Sequence, residues 1–194
     1  MTSHVSEQPS RKIVATLPEW VDTVVDWQAA YTTDEAKMRL AIAVATQNVL
    51  QRSGGPFGAA VFERQSGALV SVGMNSVVRL HNSTLHAEML AIMLAEQRIG
   101  SYTLHCDVEH ELVTSCDPCA MCLGATLWSG VRRVITGAGR ADAAAINFDE
   151  GPVFPESYAY LEARGIAITR GLLREEAAAV IELYRKQGGP IYNA

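Results

Sequence analysis

Three of the chain's four cysteines fall within eight residues, Ser115 to Cys122, reading SCDPCAMC. No other stretch constrains the fold as much. It continues the apolar run Glu111 to Ser115 (ELVTS), which reads as a short buried strand. An aspartate before proline is steered away from helical geometry, and proline fits the first helical position. The spacing therefore predicts a strand ending near Cys116, an N-cap at Asp117 and a helix from Pro118 to about Gly130. Cys119 and Cys122 would then lie three apart on one helix face, where two side chains can clamp one ion. The positive end of the helix favours both thiolates. Cys116 is left on the strand, and it and Cys106 both read as small buried packing residues.

A thiolate pair needs a further ligand, and the candidate is His86, in His86-Ala87-Glu88. Ser83 or Thr84 can cap a helix running from about Leu85 to Arg98, placing His86 and Glu88 in its first turns. One histidine and two cysteines leave a tetrahedral position open for water, the pattern of a catalytic zinc. Glu88 would reach that water without binding the metal. Alone, C-x-x-C is equally compatible with a redox dithiol, a structural zinc or an iron–sulfur ligand set.

The rest of the chain supplies the frame. Trp20, Val21, Val24 and Val25 have helical spacing behind Pro18, and Thr32-x-x-Glu35 reads as a capping box opening a helix to about Arg52. Residues 57–74 read as a hairpin turning at Gln65-Ser66-Gly67. After Cys122 come a strand (VRRVITGA), a short helix (ADAAAIN), a strand (GIAITRG) and an amphipathic helix over residues 173–187. A hairpin followed by alternating strands and helices implies an α/β fold of three layers, α/β/α, around a mixed sheet of about five strands. The formal net charge is −5, with no basic run, which argues against a nucleic-acid partner. No stretch has the length and apolarity of a membrane span, and the first residues (MTSHVSEQPSRK) lack the apolar core of a signal peptide. Cysteines crowded into one short segment suit a metal site in the cytoplasm better than disulfides.

His86-Ala87-Glu88 followed by Pro118-Cys119-Ala120-Met121-Cys122 resembles the signature of the zinc-dependent deaminases of the cytidine deaminase superfamily, H-x-E and P-C-x-x-C. GGPFGAAVF, NSTLHAE, SCDPCAMCLGA and INFDEGP narrow the resemblance to the bacterial guanine deaminase group, from about Gly54 to the closing GGPIYNA. The resemblance implies a catalytic zinc, one per chain, held by His86, Cys119 and Cys122, with Glu88 as general acid and base. It implies hydrolysis of guanine to xanthine and ammonia, with amino-triazines such as ammeline as further substrates. It also implies a second catalytic carboxylate at Glu150, ahead of its neighbour Asp149, and a base-reading amide at Asn75. Phe57 and Trp128 are candidate aromatic walls or, equally, core residues, the core reading being favoured for Trp128, and Ala87, Phe148 and Tyr192 complete the substrate-side set. On this reading residues 1–30 are an extension, partly disordered or helical, and residues 31–187 the deaminase domain. Residues 188–194 are then a tail exchanged between the subunits of a homodimer to close each other's sites. The alternatives are a deaminase of cytosine, cytidine or guanosine, a tRNA adenosine deaminase, and a zinc or redox module without turnover. Where the group often has Asp-Pro-Thr-Ala before the histidine, this chain has Asn82-Ser83-Thr84-Leu85.

The sorting of the cysteines makes a direct prediction. Cys116→Ser protein keeps its metal through desalting, whereas Cys119→Ser and Cys122→Ser proteins do not, as read by atomic absorption. Metal loss from the Cys116 variant alone would reverse the assignment.

Overall fold

The computed structural model describes residues 11–192. Strands β1 (Gly58–Glu63) and β2 (Leu69–Met74) form the expected hairpin, with Gly67 at φ +71° in its turn. They join β3 (His110–Cys116), β4 (Arg133–Ala138) and β5 (Ala167–Thr169) in one sheet of order β2-β1-β3-β4-β5. β1 is antiparallel to both its neighbours, whereas β3, β4 and β5 run parallel, so the sheet is mixed.

Side chains alternate across this sheet, as strand geometry requires. Ala60, Phe62, Val113 and Ile135 face one side, against helix α2 (Asp34–Leu50). Ala59, Val61, Leu112 and Val134 face the other, against helices α4 (Ala87–Ile99) and α5 (Ala120–Ser129). Helix α8 (Arg174–Lys186) packs beside α2 and closes the first layer with Ala177, Val180, Ile181 and Tyr184. Apolar residues on both faces of the central strands explain why these strands lack the polar/apolar alternation of a half-exposed sheet.

Several local expectations shift. The helix behind Pro18 is a single turn, α1 (Val21–Val24), but residues 15–31 still lie against the α2 layer through Leu17, Trp20, Val21 and Val25. Residues 1–10 are outside the described part. The cap of α2 is Thr33, whose hydroxyl accepts from the Ala36 N–H at 3.2 Å, rather than Thr32. Two helices were not anticipated: α3 (Val77–Leu80) and α7 (Pro155–Ala163), the latter with proline in its first turn. The short α6 (Arg140–Ala144) follows β4 as expected. Cys106 is exposed rather than packed away, whereas Cys116 is buried. Among the described residues no helix is long and apolar enough to cross a membrane.

One close approach sets the position of α4. A Cβ built on Gly73 of β2 would stand 2.1 Å from the carbonyl oxygen of Ala87 and 2.5 Å from the N–H nitrogen of Ala91. Only glycine lets the first turn of α4 lie this near the sheet.

Candidate metal centre and active site

The parallel pair β3/β4 ends with Cys116 opposite Ala138, and the ladder continues one bond further, from the Asp117 N–H to the Ala138 carbonyl at 2.8 Å. Asp117 is therefore not a helix cap. Its buried carboxylate accepts from Thr136 Oγ1 (2.6 Å), Arg170 Nε (3.2 Å), a second Arg170 nitrogen and the Arg140 N–H (3.4 Å). Helix α5 begins two residues later than its expected start at Pro118, with Cys119 as N-cap and Cys122 as the third helical residue. Ser83 and Thr84 likewise do not cap α4. The Thr84 N–H and hydroxyl both donate to the Asn82 side-chain oxygen, and His86 itself occupies the N-cap.

The result still brings two helix N-termini to one point, each with a potential ligand at its cap. His86 Nδ1 lies 3.5 Å from Cys119 Sγ, and with Cys122 Sγ the three donor atoms are all within 4.8 Å of one another. Ligands of a tetrahedral zinc stand about 3.5–3.8 Å apart, so the donor set fits that ion in number, chemistry and spacing. Glu88 is buried beside it. Its Oε1 accepts from Thr114 Oγ1 at 3.1 Å and its Oε2 from the Cys122 thiol at 3.3 Å.

A cavity opens in front of this cluster, lined by Phe57, Asn75, His86, Ala87, Glu88, Cys116, Asp117, Cys119, Glu150 and Tyr192. Eight of the eleven residues singled out from the sequence thus meet in one place. Cys122 lies just behind, fully buried. Phe148 is not on the wall but supports it, with ring centroids 5.2 Å from Phe57 and 5.0 Å from Tyr192. Trp128 is a correction: it is 79% exposed at the far end of α5. Six residues past Cys122, it is displaced by roughly 9 Å along the helix axis and does not line the cavity. Asp149 turns its carboxylate onto the Gly151 N–H at 2.8 Å, leaving Glu150 to face the cavity. Leu85, the departure before the histidine, is buried and outside the cavity lining.

Sequence reasoning missed the residues that hold these groups. Asn48, fully buried on α2, donates its amide to the carbonyls of Gly55 (2.8 Å) and Asn75 (2.9 Å), tying two stretches of wall together. Thr114 and Asp117 were legible only as strand and cap residues. Three buried side-chain polar atoms have no hydrogen-bond partner among the described residues, and two of them, Asn75 Nδ2 and the Tyr192 hydroxyl, belong to this cavity. Buried polar groups are rarely left unmatched, so both mark where a polar ligand fits.

Charge is concentrated here. The hydrogen bond from Cys122 and then that from His86 hold Cys119 as a thiolate against its burial, down to about 4, while the same bond pushes the Cys122 thiol up. Burial works against a charged His86, but the Cys119 hydrogen bond and the nearby Glu88 and Glu150 carboxylates outweigh it and raise its pKa. Desolvation, then the Cys119 charge, raises Glu88. The same two causes, followed by Glu88, raise Glu150 to about 7. A cation bound by His86, Cys119 and Cys122 would relieve this crowding.

The profile of the cytidine and deoxycytidylate deaminase zinc-binding region matches residues 31–138. The chain belongs to this family. Within it, guanine deaminase of Bacillus subtilis (strain 168) is 36% identical over 141 residues, 73% of this chain and 87% of that protein. The solved guanine deaminase of Nitrosomonas europaea superposes with a TM-score of 0.87 at 39% identity, covering 92% of this chain and 99% of that one. A structure solved in complex with 2,6-diaminopurine superposes at 0.85 with 42% identity, covering 92% and 95%. These relatives place the chain in the guanine deaminase group of the family.

Glu150 gives a test in metal-free protein. Its folded pKa is raised above that of an unfolded glutamate, so its contribution to stability is fully present below about pH 4.5 and is lost as the pH rises through about 7. Metal-free Glu150→Gln protein should therefore match the wild type in urea at pH 4 and exceed it at pH 8. Equal midpoints at pH 8 would contradict the burial of this carboxylate.

Proposed function

We propose that this chain hydrolyses guanine to xanthine and ammonia, with one zinc ion per chain held by His86, Cys119 and Cys122. The observation that carries the reading is the unmatched Asn75 amide nitrogen, which shares a cavity with the three-ligand cluster and two buried carboxylates. A bound zinc supplies Lewis acidity that lets water act as a nucleophile at neutral pH. Everything else is done by side chains. Asn75 Nδ2 donates to the lactam oxygen of the purine, and its own side-chain oxygen is held toward the Val77 N–H at 3.4 Å. Phe57 supplies an aromatic face for the flat ring. Glu88 takes a proton from the attacking water and delivers it to a ring nitrogen, so that the carbon bearing the amino group becomes tetrahedral. Glu150 accepts from the exocyclic amine and helps carry the proton with which it departs as ammonia. Desolvation raises both carboxylates, Glu150 to about 7, in the direction that proton shuttles require.

The relatives named as guanine deaminases, and the one solved with a diaminopurine, support a purine over a pyrimidine or nucleoside. Ammeline presents a similar amino-bearing ring. The acidic balance of the chain counts against a tRNA substrate. Free thiols at the centre suit the reducing cytoplasm.

The tail is part of the site on this reading. Tyr192 lines the cavity, and the hinge before it is pinned by the Tyr184 hydroxyl, which donates to the Pro190 carbonyl at 2.6 Å. The tail lines the cavity of its own chain here, in contact with Phe148, and not that of a neighbouring subunit as the family resemblance implies.

Glu88→Gln protein should keep its zinc and lose at least about a thousandfold in guanine-dependent ammonia release. Normal turnover by that variant, or faster wild-type release from cytosine or adenosine than from guanine, would defeat the reading. Deleting residues 190–194 should raise KM for guanine or abolish turnover with zinc retained. An unchanged enzyme would remove the tail from the site.

A further inference from the structure

We propose that Arg140 is a positioning residue for Glu150, acting through the two main-chain carbonyls it holds. The inference rests on the reading of Glu150 as the second carboxylate. Between Phe148, buried in the core, and α7 at Pro155, the segment bearing Glu150 has no strand or helix of its own. Such a segment drifts unless its backbone is fixed from outside, and a general acid misplaced by about 1 Å can lose 10²-fold in rate.

Three carbonyls supply that fixation. The Glu150 carbonyl accepts from the Ala120 N–H at 3.0 Å, the first free donor of the metal-bearing helix α5. The Gly151 and Val153 carbonyls both accept from the Arg140 guanidinium, Val153 at 2.7 Å. Gly151 is at φ +68° and a Cβ there would stand 3.3 Å from Ala120 Cβ, so the turn is pressed against α5 and reserved for glycine. The Arg140 guanidinium forms no ion pair among the described residues, although its neighbour Asp142 is paired with Arg174 and nearby Asp117 with Arg170. The guanidinium's hydrogen bonds therefore all go to backbone, while its charge also favours the ionised form of Glu150. Its planar fork spans two carbonyls, which the single ammonium of lysine cannot do as well.

Arg140 also has a second attachment. Its main-chain N–H donates to the Asp117 carboxylate at 3.4 Å, two residues before the ligand Cys119. One residue thus ties the Glu150 segment by its side chain to the strand end that starts the metal helix. This sets the distance between the two carboxylates that must serve one substrate. Neither link appears as a sequence motif, because arginine and carbonyls are 11 and 13 positions apart.

A double-mutant cycle tests this with holoenzyme and guanine, reading kcat, KM, zinc content and melting temperature for Arg140→Met, Arg140→Lys, Glu150→Gln and the Arg140→Met/Glu150→Gln pair. Arg140→Met should lower kcat by roughly 10²-fold, with zinc retained and KM changed far less. Arg140→Lys should recover part of the loss. In the Glu150→Gln background, Arg140→Met should cost less than about twofold, because residues acting as one unit are not additive. Losses that multiply in the pair, or wild-type kcat in Arg140→Met, would overturn the proposal, as would loss of zinc from that variant. If Arg140→Met does not fold, Arg140→Lys is read by the same criteria. Wild-type turnover by Glu150→Gln alone would instead sink the reading of Glu150 and this proposal with it, and that single arm tells the two failures apart.

Discussion

The site depends on one buried carboxylate. Asp117 is 4% exposed, and a charge so placed is costly unless every lone pair is used. Four donors from three later positions, Thr136, Arg140 and Arg170, meet it, and Arg170 lies over the Tyr158 ring at 4.4 Å to the centroid. The turn between β3 and α5 is therefore held by β4, by the start of α6 and by the residue after β5. Cys119 sits at the helix cap because Asp117 is occupied elsewhere, and the ligand cluster inherits its rigidity from that arrangement.

What could be read in advance follows from which interactions are local. Strands, hairpin, mixed sheet and the convergence of His86 with Cys119 and Cys122 were legible, since periodicity, proline position and ligand spacing are properties of short segments. Both cap assignments at the site were misplaced because the side chains expected to cap had other partners. Asp117 was claimed by Arg170, 53 residues away, and Thr84 by the neighbouring Asn82. Trp128 was read as a wall because it shares a helix with the cysteines, but helical phase and axial distance carry it to the surface. Asn48 and Arg140 left no local signal, since each acts on backbone carbonyls brought near only by the fold. Glu150 and Asn75 were placed by family resemblance, and the cavity geometry puts both beside the cluster.

The departures from ordinary ionisation run in two directions. Hydrogen bonds from Cys122 and His86 hold Cys119 low, whereas desolvation and the Cys119 charge raise Glu88 and Glu150 in one poorly hydrated space. A protein folded around such a cluster without a counter-ion gives up stability for chemistry, the trade expected where function sets the residues.

The opposite end of the same strands has the reverse character. Where β3 and β4 begin, Glu111 is buried between Lys37 (2.5 Å) and Arg133 (3.4 Å), and Arg133 also grips Asp34 at 2.6 Å. Opposite charges are matched there, and like charges crowd together about five residues further along. β3 is therefore pinned at both ends, by Lys37 and Arg133 on Glu111 where it begins and by Arg170 on Asp117 just past its finish, with the chemistry beside the second anchor. A metal held by His86, Cys119 and Cys122 would thus join a strand end that side chains already fix, rather than organise it.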